Sequence, residues 1–237
     1  MNLCLQLQYF IIFEKNNNIS YPNLSTMKLK INFKINSTFG LFLGIVALYC
    51  LSSILSQTLI TKEVLFNTYG SEEFVEKIIK RKQEYGWITY LLIPVLYSIK
   101  FLLIAVTLNI GVLLLNTKIK FGKLWRAVLL AELVSIFFGI ITIILLIYNN
   151  FTNMDEIRQF NPFALSYYLN TESIPSFLLY PFSLLNLEEL VYWLILARLM
   201  MPLLDKKYIK SLGFVAQTYG VGLLLWVTLM VFLSLLL

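Results

Sequence analysis

The sequence contains no histidine. That removes His-based general acid/base chemistry, Ser-His-Asp triads, axial haem histidines and His-ligated zinc together. Cysteine is nearly as scarce, with only Cys4 and Cys50. One lies near the N-terminus and the other inside an apolar run, so neither a disulfide framework nor a thiolate metal site is supported. No cofactor and no nucleic-acid partner are expected. GxGD, GxSxG and GxxxxGK[ST] patterns are absent too, which leaves intramembrane aspartyl protease, serine hydrolase and ATPase unsupported. Charge is also short: Asp, Glu, Lys and Arg make up 14% of the 237 residues, against about 25% in a soluble domain.

What fills the space is apolar. Hydrophobic residues are 59% of the chain and the mean hydropathy is +0.77. They come in blocks of about 20, the length that crosses a roughly 30 Å hydrocarbon core as a helix. The expected fold class is all-α: a polytopic helical membrane protein with five transmembrane helices in one membrane-embedded domain, residues 27–237. Residues 1–26 differ from the rest, joining a short apolar piece to an Asn-rich one. A start at Met27 is expected, with the preceding segment a mis-called or disordered extension. A signal peptide fits less well, because the basic residues follow the apolar piece.

The five spans are expected at about 39–60, 95–115, 126–148, 186–203 and 213–237. In the first, Gly40 and Gly44 form a GxxxG pair, the spacing that lets another helix approach closely. Residues 71–85 read as an amphipathic extramembrane helix. Phe74, Val75, Ile78 and Ile79 recur at helical spacing, acids lie at the start and bases at the end, and Glu73/Lys77 and Glu76/Lys80 stand four apart. The "KRK" at 80–82 is a solvated face or a contact for lipid head groups or a partner. The apolar run 87–116 is too long for one span, so Pro94 is expected to divide it, with Trp87 and Tyr90 as interfacial belt residues. Pro162, Pro175 and Pro181 argue for an interfacial segment over 162–184 rather than a crossing.

Charge suggests an orientation. With five spans, twelve of the 19 Lys and Arg fall on the N-terminal side and six on the other, Lys100 remaining inside a span. The positive-inside rule then places the N-terminus in the cytoplasm and the C-terminus outside. The Asn, Lys and Ile usage suggests a bacterial chain, and hence the inner membrane.

Ionisable residues within spans are functional-site candidates by default. Here they are Lys100, Glu132, Glu188, Glu189 and Arg198. Counting about 1.5 Å per residue, Glu132 and Arg198 lie roughly 9 and 7 Å from the cytoplasmic ends of their spans. Lys100 lies roughly 24 Å from that end, and Glu188 and Glu189 roughly 21–23 Å. The matched depths predict two ion pairs, Glu132 with Arg198 and Lys100 with Glu188 or Glu189. Such charges are interhelical staples, or they line a proton or ion path. "EELVYW" from Glu188 superficially resembles the EExxxR motif of CAAX-type intramembrane proteases, but Trp193 stands where that motif has Arg, and no base accompanies a nucleophile. No enzyme is expected.

"NPFALSYYL" (Asn161–Leu169) and "SLLNLEELVYWLILARLM" (Ser183–Met200), followed by a basic loop and a last Gly-containing span, resemble the C-terminal half of the Yip domain family. The resemblance covers about 120–237. It implies five spans with a cytoplasmic N-terminus and an external C-terminus. Eukaryotic Yip proteins are trafficking factors that bind small GTPases and shape membranes, but the loops here offer no GTPase-binding surface. The expectation is a non-enzymatic scaffold or assembly partner in the bilayer, with a membrane-protein partner or a second copy of the chain. The alternative is a small permease or transporter subunit moving a solute or protons past Lys100, Glu132 and Glu188.

Overall fold

The computed structural model describes residues 38–149, 151–169 and 175–236. The expected extension 1–26 lies outside the described residues. Among the described residues every regular element is helical, and four helices are long and apolar enough to cross a membrane: Thr38–Thr58, Glu72–Leu114, Phe121–Asn149 and Tyr208–Leu236.

Helix α1, Thr38–Thr58, is the first apolar run. A short helix that the apolar periodicity did not signal follows, α2 over Lys62–Tyr69. Local chemistry sets its limits. The Thr61 hydroxyl accepts the Val64 N–H, and Gly70 at φ 67° closes it in the left-handed region that glycine adopts without strain.

Helix α3 corrects two expectations. It runs unbroken from Glu72 to Leu114, 43 residues with Pro94 inside, so residues 71–85 are not a separate helix and Pro94 divides nothing. Proline removes one backbone hydrogen bond. Ending the helix in an apolar layer would strand several carbonyls and N–H groups instead. The amphipathic segment is the outer part of a rod about 65 Å long. Ser71 caps it through the Phe74 N–H, and Lys77 bonds Glu73 at 2.7 Å. Glu76 turns to Lys62 of α2, at 3.8 Å.

Helices α4 (Phe121–Ala131) and α5 (Leu133–Asn149) form one rod, interrupted only where Glu132 takes φ −63° and ψ −19°. Its start is earlier than expected. Helix α6, Met154–Gln159, is capped by Asn153 and tied to α2: the Met154 N–H donates to Thr68 Oγ1 at 2.8 Å and Asn67 to the Thr152 carbonyl at 3.0 Å. Val64, Leu65, Val75 and Met154 make a small core beneath this cap.

The expected interfacial segment contains a 3-10 turn, Leu165–Tyr168, and helix α7, Ser176–Leu184. Its two ends meet, because the Leu165 N–H donates to Leu185 O and the Leu187 N–H to Phe163 O, both at 2.9 Å. Helix α8 is Leu187–Leu204. The last rod is α9 (Tyr208–Val215), a π-helical turn (Ala216–Gly220) and α10 (Val221–Leu236).

The connections 115–120 and 205–207 define one end of the bundle, and α2, α6 and α7 the other. Gly111 packs on Phe214 and Thr218, and Thr107 on Gly222. As α3 numbers fall those of the last rod rise, so the two rods are antiparallel and α9 starts at the 115–120 end. Helix α5 finishes at the opposite end, so α8 carries the chain back through the bundle. Its buried face, Tyr192, Leu196, Ala197, Met200 and Leu204, joins the main core with Phe101, Leu108 and Leu129. Three ionisable residues in 18 keep α8 out of the set of apolar crossings.

Candidate functional site

The interior carries two carboxylate-centred nodes. The first is Glu132, whose side chain is wholly buried at the one-residue turn between α4 and α5. Its Oε1 accepts two charge-assisted bonds: Lys100 Nζ of α3 at 2.6 Å and the Tyr49 hydroxyl of α1 at 2.5 Å. One oxygen therefore joins three rods. Tyr49 and Tyr97 stack with ring centroids 3.7 Å apart, and Lys100 Nζ lies 5.8 Å from the Tyr97 ring. The aromatic faces give the ammonium a second attraction. The second oxygen of Glu132 has no partner.

The second node begins at the α8 N-terminus. Asn186 is the cap: its Oδ1 accepts the Glu189 N–H at 2.6 Å, and its amide donates to Ser183 O at 3.1 Å. A cap of this kind stabilises a helix by about 1 kcal/mol. Glu188 and Glu189 fill the first turn, where the helix dipole favours negative charge. Glu189 Oε1 accepts the Trp193 indole N–H at 2.7 Å and the Tyr219 hydroxyl at 2.8 Å. Tyr219 belongs to the π-helical turn, so the widened turn delivers its hydroxyl to the carboxylate. Glu188 is hydrogen-bonded to Ser135 and lies in the field of Lys100. Between the nodes stands Tyr192, its ring 5.4 Å from that of Tyr219 and its buried hydroxyl unpartnered.

Neither expected ion pair forms. Arg198 does not meet Glu132: its Nη1 donates to Met201 Sδ, 3.2 Å away on the same helix. Lys100 bonds Glu132 rather than Glu188 or Glu189. The cause is the position of the helix ends. Measured from Phe121, Glu132 lies about 17 Å deep, against about 21 Å for Lys100 from Leu114 and about 9 Å for Arg198 from Leu204. A lysine side chain spans the first difference. The second difference, about 8 Å, is too large for the arginine.

At Gly44 no neighbouring helix among the described residues makes a close contact within the chain. Gly40 and Gly44 sit on an exposed stretch of α1, and a Cβ added at Gly44 would meet nothing within 4 Å. Close approach occurs elsewhere. A Cβ on Gly111 would collide with the Thr218 methyl and lie 2.8 Å from the Phe214 ring; on Gly222 it would lie 2.7 Å from Thr107 Cγ2.

Sequence reading missed Tyr49, Tyr97, Tyr192 and Tyr219. A signal existed, because tyrosine in spans belongs at the interfaces, and Tyr49, Tyr97 and Tyr192 stand away from their helix ends.

No protein-family model, curated protein or solved structure matches the chain. The roles of its residues therefore rest on geometry. In each carboxylate one oxygen, Oε1, gathers two donors: Lys100 and Tyr49 at Glu132, and Trp193 and Tyr219 at Glu189. That is the chemistry of a clamp. A buried ion needs its partners close; Lys100, Tyr49, Trp193 and Tyr219 supply them on the Oε1 side of each carboxylate, while Glu132 Oε2 is left without one.

Proposed function

We propose that this chain is a non-enzymatic integral membrane protein that acts as a Yip-like scaffold or assembly partner in the bilayer. The observation that carries the reading is the convergence of Lys100 and Tyr49 on one oxygen of the buried Glu132, which locks α1, α3 and the α4–α5 rod together. A rigid interior with committed charges suits a platform better than a moving carrier. The return of the chain through α8 supports five passes, and the excess of Lys and Arg on the N-terminal side supports a cytoplasmic N-terminus and an external C-terminus in a bacterial inner membrane. The open face at Gly44 leaves room for a helix of a partner or of a second copy.

A second reading, a small permease subunit, draws on the unpartnered Glu132 Oε2 and Tyr192 hydroxyl, since buried polar atoms without partners are where water or a proton would be accommodated. Proteoliposome flux separates the two. Scaffolding predicts that Glu132→Gln and Glu189→Gln change stability and abundance but no flux. Unchanged abundance with an abolished transport activity would sink it. Crosslinking in native membranes followed by mass spectrometry should recover one stable membrane partner or a homo-oligomer, and consistent absence of both would contradict the scaffold.

A further inference from the structure

We infer that the cavity between the end of α1, α2 and the outer part of α3 binds the phosphate of an anionic lipid headgroup. The cavity measures about 460 Å3 and its polar rim is Gln57, Lys62, Lys82, Gln83, Trp87 and Tyr90. That volume is within the roughly 300–1,000 Å3 of ordinary ligand sites. The α3 residues come from one face, since Ile79, Lys82, Gln83, Gly86, Trp87 and Tyr90 follow at helical spacing.

Two cations converge here, and neither is committed. Lys62 has Glu76 at 3.8 Å with both side chains largely exposed, a contact of little strength. Lys82 Nζ reaches only the Gln57 carbonyl, at 3.4 Å. Tyr90 and the Gln57 amide, 3.5 Å apart, add neutral groups of the kind that hydrogen-bond phosphate oxygens. Among the described residues the cavity lining contains no acid, and Glu76, which contacts Lys62, stands outside it.

Position argues for a lipid over free phosphate. The apolar stretch of α3 begins at Trp87, so the site lies at the level of an interfacial aromatic belt. Trp87, Leu91 and Val95 then stand four apart, 62%, 61% and 49% exposed. They form an apolar track leading from the cavity along the helix, as acyl chains below a bound headgroup require. A lysine held near the bilayer surface attracts anionic lipid by about 1 kcal/mol, and two line this cavity.

The inference uses only that α3 crosses the bilayer below Trp87, and it is independent of scaffold or transport activity. The test uses the full chain in nanodiscs of phosphatidylcholine with phosphatidylglycerol, released into native mass spectrometry to count retained lipids. Wild type is expected to keep phosphatidylglycerol in preference to phosphatidylcholine. The double substitution Lys62→Gln/Lys82→Gln should cut that retention by roughly tenfold or more, while Lys82→Arg keeps most of it. Gly86→Leu is the steric counterpart. A Cβ there meets nothing within 4 Å, and leucine is the better helix former by about 1 kcal/mol, so it projects into the cavity beside Lys82 and Gln83 with every charge retained. It should lower retention as far as the double substitution does. Retention unchanged in both variants would overturn the assignment. So would inorganic phosphate alone displacing the lipid at low millimolar concentration, which would make free phosphate the occupant. A chain that stays in the nanodisc yet retains no phosphatidylglycerol defeats this inference alone; a chain that does not enter the nanodisc defeats the membrane reading beneath it.

Discussion

Lys100→Met is expected to destabilise the protein by about 3–5 kcal/mol, the usual cost of leaving one member of a buried ion pair alone. Glu132 is 0% exposed and its second oxygen already lacks a partner, so after the substitution one tyrosine hydroxyl faces a carboxylate that water does not reach. The reciprocal change should be milder. Lys100 keeps 43% of its side chain at the surface and can swing away from a neutral neighbour, while Glu132→Gln still offers Tyr49 an acceptor. Its expected cost is about 1–3 kcal/mol. Unfolding in a fixed detergent, followed by helical signal, reads both. Equal losses for the two variants would show that Glu132 has access to water that the structure does not give it.

Gly111→Leu should be comparably damaging, with a loss of about 3 kcal/mol or more. Overpacking a well-filled core typically costs 1–3 kcal/mol, and here even the first added carbon collides with Thr218 and crowds Phe214. In a bilayer, close contact of this kind is much of what holds helices together, because lipid tails solvate leucine as well as another helix does. Gly44→Leu is the control, with an expected change within about 0.5 kcal/mol, since the space beside it is open in the monomer. Removing the obstructing methyl and hydroxyl with Thr218→Gly should restore part of the Gly111→Leu loss. Thermal midpoints and membrane abundance check the series. A tolerated Gly111→Leu would mean that α3 and the last rod do not approach as described.

Much of the helical framework was legible because most of the apolar blocks, the run 87–116 excepted, have the length a bilayer demands. The start of α8 was legible for a local reason: Asn186 before two glutamates is a cap followed by dipole-compatible charge. The charge pairs were not legible. Their prediction depended on depth, and depth depended on where α4 begins; moving that start from residue 126 to Phe121 carries Glu132 away from Arg198 and toward Lys100. Pro94 misled for a related reason. Proline ends helices readily in water, but in an apolar layer the surrounding backbone has nowhere else to bond. The π-helical turn at Ala216–Gly220 left no periodicity to read, so the Tyr219–Glu189 bond was invisible. The glycine motif was noticed in the first span, where GxxxG spacing advertises it, while the glycines in close contact, Gly111, Gly220 and Gly222, are divided between α3 and the last rod and show no GxxxG spacing.

The central claim is that Lys100 and Glu132 form a clamp across the bundle whose carboxylate is fully buried. A double-mutant cycle with Lys100→Met and Glu132→Leu, measured by unfolding in lipid nanodiscs, tests it most directly, because removing both partners together leaves no stranded charge. Hydrogen bonds between membrane helices couple by about 0.6 kcal/mol on average. The clamp predicts about 2 kcal/mol or more, with the double variant more stable than Lys100→Met alone. A coupling near zero, with the two losses simply adding, would contradict it.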